Sequence, residues 1–182
     1  MKGIIFNLLE QFITENFGEE KYEQIIKQCN LKTTEPFVAP GTYPDEDMIE
    51  IVVNTSKELN ITVPDALKGY GKFAFFKLAE KFPFFVKPYK HPKPFLMSVE
   101  NIIHVEVRKF YKDAYTPQFI YNDTSPDTLT ITYHSKRKLY HLMEGLLDGV
   151  GEFYKVPIQQ THKIYQKNGT ELCDFELTFA GK

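Results

Sequence analysis

The segment Ile131-Thr-Tyr-His-Ser-Lys-Arg-Lys-Leu139 decides how this chain is read. Tyr133, Ser135 and Arg137 occupy every second position in it. In an extended chain, alternate side chains leave the same face, so a phenol, a hydroxyl and a guanidinium would converge on one side. Two readings are open. Alternating polar residues can form the solvent face of a half-buried strand. They can also clamp an anion: arginine offers a forked, permanent charge that matches a carboxylate, with two neutral donors beside it.

Just upstream, QFIYND and LTITYHS read as two strands with the turn NDTSPD between them. Just downstream, Leu139, Leu142, Met143, Leu146, Leu147 and Val150 recur at helical spacing. The C-terminal run IQQTHKIYQKNGTELCDFELTF reads as a hairpin about Asn168-Gly169. The N-terminal half is helical. Ile4, Ile5, Leu8, Leu9, Phe12 and Ile13 mark one helix that stops at Gly18. Tyr22, Ile25, Ile26 and Cys29 mark a second, and Asp45 to Leu59 a third. Between these two, LKTTEPFVAPGTYP is a loop. Thr62-Val-Pro-Asp65 starts a fourth helix that runs through Leu67, Tyr70, Ala74 and Leu78. PFFVKPYKHPKP is too rich in proline to hold a helix. A long helix is predicted over Phe95 to Tyr111, with Phe95, Leu96, Val99, Ile102, Ile103, Val107 and Phe110 on its buried face. The fold class is α+β: helices first, then an antiparallel sheet with one more helix.

Composition narrows the function. The 182 residues suit one domain, and 16 Phe with 11 Tyr suit an ordered interior or one that wraps something large. A net charge of −2 gives no electrostatic case for nucleic acid or anionic membrane. Cys29 and Cys173 make no disulfide framework and no four-thiolate site. No apolar run reaches membrane length and the N-terminus lacks a secretory pattern, so a soluble cytoplasmic protein is expected. Phosphate loops, HExxH, CxxC and GxSxG are missing, so no hydrolase or transferase is expected. His104 stands out among five histidines because it falls near the buried stripe of its helix. Such a residue is either a core histidine bonded to backbone or a ligand, since neutral imidazole is a good axial base for iron. A histidine, an anion clamp and much apolar volume could together hold haem.

The chain resembles the haem nitric oxide/oxygen-binding (H-NOX) family over its whole length. The matching parts are MKGIIFN, His104, Pro117 thirteen residues later, Tyr133-x-Ser135-x-Arg137, EGLLDG (Glu144 to Gly149) and the closing hairpin. The resemblance implies an N-terminal distal lobe, about residues 1–62, and a proximal lobe, 63–182, with a four-stranded antiparallel sheet and long helices; haem b lies between them. It implies that His104 is the proximal iron ligand and that Tyr133, Ser135 and Arg137 hold the propionates. Pro117 presses on the macrocycle, while Ile5, Leu9, Ala74, Leu78, Leu142 and Leu146 lie at the distal pocket. Oxygen-binding members carry a tyrosine nine residues after the signature tyrosine; here it is Leu142. A supporting polar position is Ala74, and an aromatic one is Leu9. Tyr140 is one helical step from Leu142 and could lean in, although its spacing puts it off the apolar face. Bound oxygen gains from a hydrogen-bond donor, so nitric oxide and carbon monoxide are the expected ligands and oxygen is excluded. Some relatives hold zinc near the C-terminus; His162 and Cys173 are too few ligands here, with Tyr140, Leu142 and Tyr165 nearby, so no zinc is expected. The resemblance implies a switch: nitric oxide weakens the trans Fe–His bond, His104 lets go, the lobes shift, and a partner reads the change. With no output segment before Lys182, a separate histidine kinase or cyclic-di-GMP enzyme is the expected partner. Two rivals are a haem or gas carrier without a partner, and a haem-free module that binds another anion.

Overall fold

The computed structural model describes residues 1–33 and 36–180. The loop expected after the second helix therefore falls partly, at residues 34 and 35, outside the described residues. Four helices come first: α1 (Gly3–Phe17), α2 (Glu19–Gln28), α3 (Asp45–Leu59) and α4 (Val63–Lys81). α1 ends at Gly18, whose φ of +95° suits glycine. α4 starts as its sequence directs: Thr62 Oγ1 accepts the Asp65 backbone N–H at 3.2 Å, with Pro64 in the first turn.

The next stretch corrects the sequence reading twice. The proline-rich segment does hold helix: α5 (Pro83–Val86) and the start of α6 (Pro92–Ser98) each begin on proline. Proline lacks only an N–H that a first helical turn leaves unbonded anyway, so each can open a short helix. The helix expected over Phe95–Tyr111 is divided into α6, a π-helical turn (Val99–Ile103) and α7 (His104–Phe110). In the π turn the His104 N–H reaches back five residues to the Val99 carbonyl. One extra residue rotates the faces of α7 by about 100° relative to α6. Ile102 and Phe110, expected on the buried face, are accordingly 47% and 74% exposed.

Strands β1 (Gln118–Ser125), β2 (Thr128–His134), β3 (Ile158–Lys167) and β4 (Thr170–Phe179) form one antiparallel sheet in the order β1-β2-β4-β3. α8 (Tyr140–Tyr154) connects β2 to β3. The Asn168-Gly169 turn has positive φ at both residues, as a two-residue hairpin needs. Leu129, Ile131 and Tyr133 of β2 face the core with Cys173, Phe175, Leu177 and Phe179 of β4.

Two apolar clusters result. One packs the sheet under α6 and α8; the other joins α1, α3 and the first half of α4. α4 serves both: Tyr70 and Ala74 belong to the helical cluster, Phe75 and Ala79 to the sheet cluster. α4 and α8 cross closely at glycines. A methyl on Gly145 would sit 2.0 Å from the Lys68 carbonyl oxygen, and one on Gly71 would sit 2.3 Å from that of Leu142. The fold is thus a mixed helical and four-stranded antiparallel one.

Candidate functional site

β2 ends at His134, so of the three clamp residues only Tyr133 lies in the strand. This corrects the reading of three side chains leaving one strand face. Ser135 to Lys138 form a turn, closed by the Lys138 N–H on the Ser135 carbonyl at 3.2 Å, with Lys138 at φ +52°. The turn reverses the chain into α8. All three residues nevertheless point inward: Tyr133 and Ser135 are buried, and the Arg137 side chain is 14% exposed. The solvent face of β2 carries Thr130, Thr132 and His134 instead.

Arg137 joins distant parts of the chain. Its Nε donates to Asp45 Oδ2 at 2.9 Å, its Nη1 donates to the Tyr115 carbonyl at 2.6 Å, and its guanidinium lies 4.8 Å from the centre of the Tyr115 ring. The N-terminal ammonium of Met1 sits 2.8 Å from the other Asp45 oxygen and also donates to the Tyr43 carbonyl. Burial opposes ionisation of Asp45, but the bonds from Arg137 and the N-terminus outweigh it and hold its carboxyl below the usual range. The Ser135 hydroxyl accepts the Arg137 N–H at 3.2 Å. Burial pushes the Tyr133 phenol up, so it stays a neutral donor. A cleft of about 840 Å³ opens here, lined by Met1, Asp45, Ile49, Tyr115, Arg137 and Leu139 among others.

His104 opens α7 directly after the π turn. Its ring is 13% exposed and packs against Phe119, with centroids 5.2 Å apart. Nδ1 lies 2.9 Å from Glu100 Oε2. Burial is the largest influence on the ring and lowers its pKa in spite of the Glu100 bond, so the imidazole is neutral near pH 7. With the proton on Nδ1, the Nε2 lone pair is available to a metal. Phe119 of β1 pairs in register with Tyr133 of β2, their ring centres 6.0 Å apart. One aromatic ring thus touches both His104 and the clamp tyrosine. Pro117, half-buried, immediately precedes β1 and is thirteen residues from His104.

The six apolar candidates divide. Ile5, Leu9, Ala74, Leu78 and Leu142 meet in the helical cluster, while Leu146 packs against the sheet cluster. The tyrosines near them have their hydroxyls engaged. The Tyr70 hydroxyl donates to the Ile5 carbonyl at 2.7 Å, and the Tyr140 hydroxyl donates to Glu171 Oε1 at 2.8 Å. The Tyr43 hydroxyl donates to the Pro36 carbonyl. At the far edge, His162 faces Glu144 at 2.9 Å, and Cys173 is buried with its thiol pushed up to about 12, chiefly by burial. Among the described residues, no three His, Cys, Asp or Glu side chains gather as a metal site.

Asp45, Tyr115, Phe119 and Glu100 are site residues that the sequence reading did not single out. Glu100 left a signal: it lies four residues before His104, the spacing at which helical side chains meet. Asp45 left none, being 92 residues from Arg137. The donor set fits haem. It offers a neutral imidazole, a guanidinium with two hydroxyls near it, and apolar side chains from both clusters.

The family pattern described as Haem-NO-binding matches residues 2–162. The fold is similar to the Fe(II) unliganded H-NOX protein from K. algicida, at 31% identity and a TM-score of 0.90, covering 100% of this chain and 98% of that one. It is also similar to an H-NOX protein from S. oneidensis in the Fe(II)NO ligation state, at 26% identity and a TM-score of 0.90, covering 100% of both. In sequence it is 23% identical to the soluble guanylate cyclase gcy-32 of Caenorhabditis elegans over 156 residues, which is 84% of this chain but 23% of that protein's length. The chain belongs to the haem-NO-binding, or H-NOX, family of haem-based gas-sensing domains.

Proposed function

We propose that this domain senses nitric oxide on haem b held through His104, binds carbon monoxide as well, and forms no stable oxygen complex. One observation carries the reading: the neutral His104 ring and the Tyr133 of the clamp both pack against Phe119. Haem, when bound, would supply a ferrous iron able to bind a diatomic gas. His104 would hold the iron through a ring nitrogen. Arg137, Tyr133 and Ser135 would hold the propionates, with charge-assisted bonds doing most of the anchoring. Pro117 would bear on the macrocycle.

What supports oxygen exclusion is the lining. Ile5, Leu9, Ala74, Leu78, Leu142 and Leu146 carry no side-chain donor, and the hydroxyls of Tyr70 and Tyr140 are already bonded elsewhere. The role is sensing and not catalysis. Release of His104 would free α7, and Arg137 with Asp45 would carry a shift of the sheet-bearing half to α3 and the N-terminus. A partner such as a histidine kinase or a cyclic-di-GMP enzyme would read that shift, in the cytoplasm.

The test is the visible spectrum of the haem-loaded, reduced protein, first in air and then with nitric oxide. The expected result is an unchanged ferrous spectrum in air and a new nitrosyl spectrum with the gas. A stable oxygen spectrum in air would overturn the selectivity, and failure to take up haem would overturn the whole reading.

A further inference from the structure

We infer that Glu100 is a positioning residue for the iron ligand: its carboxylate takes the Nδ1–H of His104, fixes the tautomer that leaves Nε2 free, and makes the imidazole a stronger donor. The inference rests on the reading of His104 as the ligand.

Four contacts hold Glu100 in place. Its Oε2 is 2.9 Å from His104 Nδ1 and accepts the Phe119 N–H at 3.2 Å. Its Oε1 is 3.5 Å from Arg108 Nη2. Its own N–H donates to the Tyr121 hydroxyl at 3.3 Å, and that hydroxyl donates to the Leu96 carbonyl at 2.8 Å. The carboxylate is thus 20% exposed and aimed inward. Phe119 lies on β1, an edge strand, so Glu100 also satisfies an N–H on the side facing away from β2. The π turn matters to this geometry, because Glu100 lies within it and His104 comes directly after it.

A histidine that ligates a metal commonly gives its second ring proton to an acceptor, and a carboxylate acceptor raises its basicity most. Here the acceptor travels with the ligand. Glu100 and His104 are on one continuous segment, so movement of the lobes does not by itself separate them. Arg108 lies near the other oxygen but is half-exposed and its Nη1 is committed to Thr116 Oγ1 at 2.6 Å, so it only partly offsets the charge offered to the imidazole.

Two variants separate the bond from the charge. Glu100→Gln keeps an acceptor and removes the charge; Glu100→Leu removes both. In the haem-free protein, nitrogen NMR of His104 is expected to show the proton on Nδ1 in wild type and Glu100→Gln, and a tautomer mixture in Glu100→Leu. In the reduced, haem-loaded protein, the Fe–His stretching band is expected to fall in frequency from wild type to Glu100→Gln and again to Glu100→Leu. Haem loss from Glu100→Leu is expected to be about tenfold faster. An unchanged tautomer in Glu100→Leu, or an unchanged Fe–His band in both variants, would overturn the inference while leaving His104 as the ligand. Failure of the underlying reading looks different: the Fe–His band would then survive in His104→Gly.

Discussion

Replacing Gly145 with alanine probes the contact that sets the separation of α4 and α8. The first of these helices carries Ala74 and Leu78, the second Leu142 and Leu146. The added methyl would lie 2.0 Å from the Lys68 carbonyl oxygen, 2.8 Å from the Lys68 carbonyl carbon and 2.9 Å from the Lys72 nitrogen. Favourable contact begins near ~3.5 Å, so the helices must part by more than ~1 Å. Every clashing atom is backbone, so no rotamer change relieves the overlap. Overpacking of this kind costs ~1–3 kcal/mol, and the rigid partner puts Gly145→Ala near ~3 kcal/mol. Helix propensity returns ~1 kcal/mol, leaving a net loss of about 2 kcal/mol. For a chain of this size that lowers the melting temperature by about 4–8 °C. Gly69→Ala on α4 is the control. Its methyl would meet Phe12 Cζ at 3.4 Å, an ordinary contact, so it should gain up to ~1 kcal/mol from propensity. The assay is thermal unfolding of the haem-free protein, monitored by circular dichroism. A Gly145→Ala protein as stable as the Gly69→Ala control would refute the close crossing.

Three other outcomes are expected. Arg137→Ala removes charge-assisted bonds worth ~1.5–3 kcal/mol, so haem should transfer to an acceptor protein about ten to a hundred times faster; an unchanged rate would remove Arg137 from the clamp. Leu142→Tyr places a phenol at the apolar wall, and the reduced variant should show an oxygen spectrum in air that wild type lacks. Glu144 lies between His141 and His162, at 2.7 and 2.9 Å. Burial raises its pKa, but the two histidine bonds outweigh that and depress it below its ordinary 4.5. A depressed carboxylate stabilises the fold above its unfolded pKa and loses that contribution as pH falls through the folded one. The stability gap between wild type and Glu144→Gln, from urea unfolding, should therefore be full at neutral pH and close below about pH 4.5; a gap that is constant with pH would contradict the bonds.

Much of this architecture was legible from local pattern. The 3.6-residue spacing in α1, α3 and α8, the Thr62 cap and the Asn168-Gly169 turn are decided by residues close in sequence, and the structure agrees with them. The π turn was not legible, because its extra residue depends on contacts such as the Tyr121 hydroxyl with the Glu100 N–H, which come from β1. The close helix crossing was missed for a similar reason. A glycine within a helix, such as Gly71 or Gly145, shows its packing role only once the facing backbone is known. At the site, Tyr133, Ser135, Arg137 and His104 carried a recognisable pattern of types and spacing. Their supports did not. Asp45, Tyr115 and Phe119 are ordinary residues made important by partners far along the chain.

The central claim is that haem is held through His104. The most direct measurement is the Fe–His stretching band of the reduced, gas-free protein by resonance Raman, compared between wild type and His104→Gly, with free imidazole then added to the variant. A band is expected in wild type, with its loss in His104→Gly and its return when imidazole fills the vacated position. A His104→Gly protein that binds haem with the wild-type band intact would contradict it.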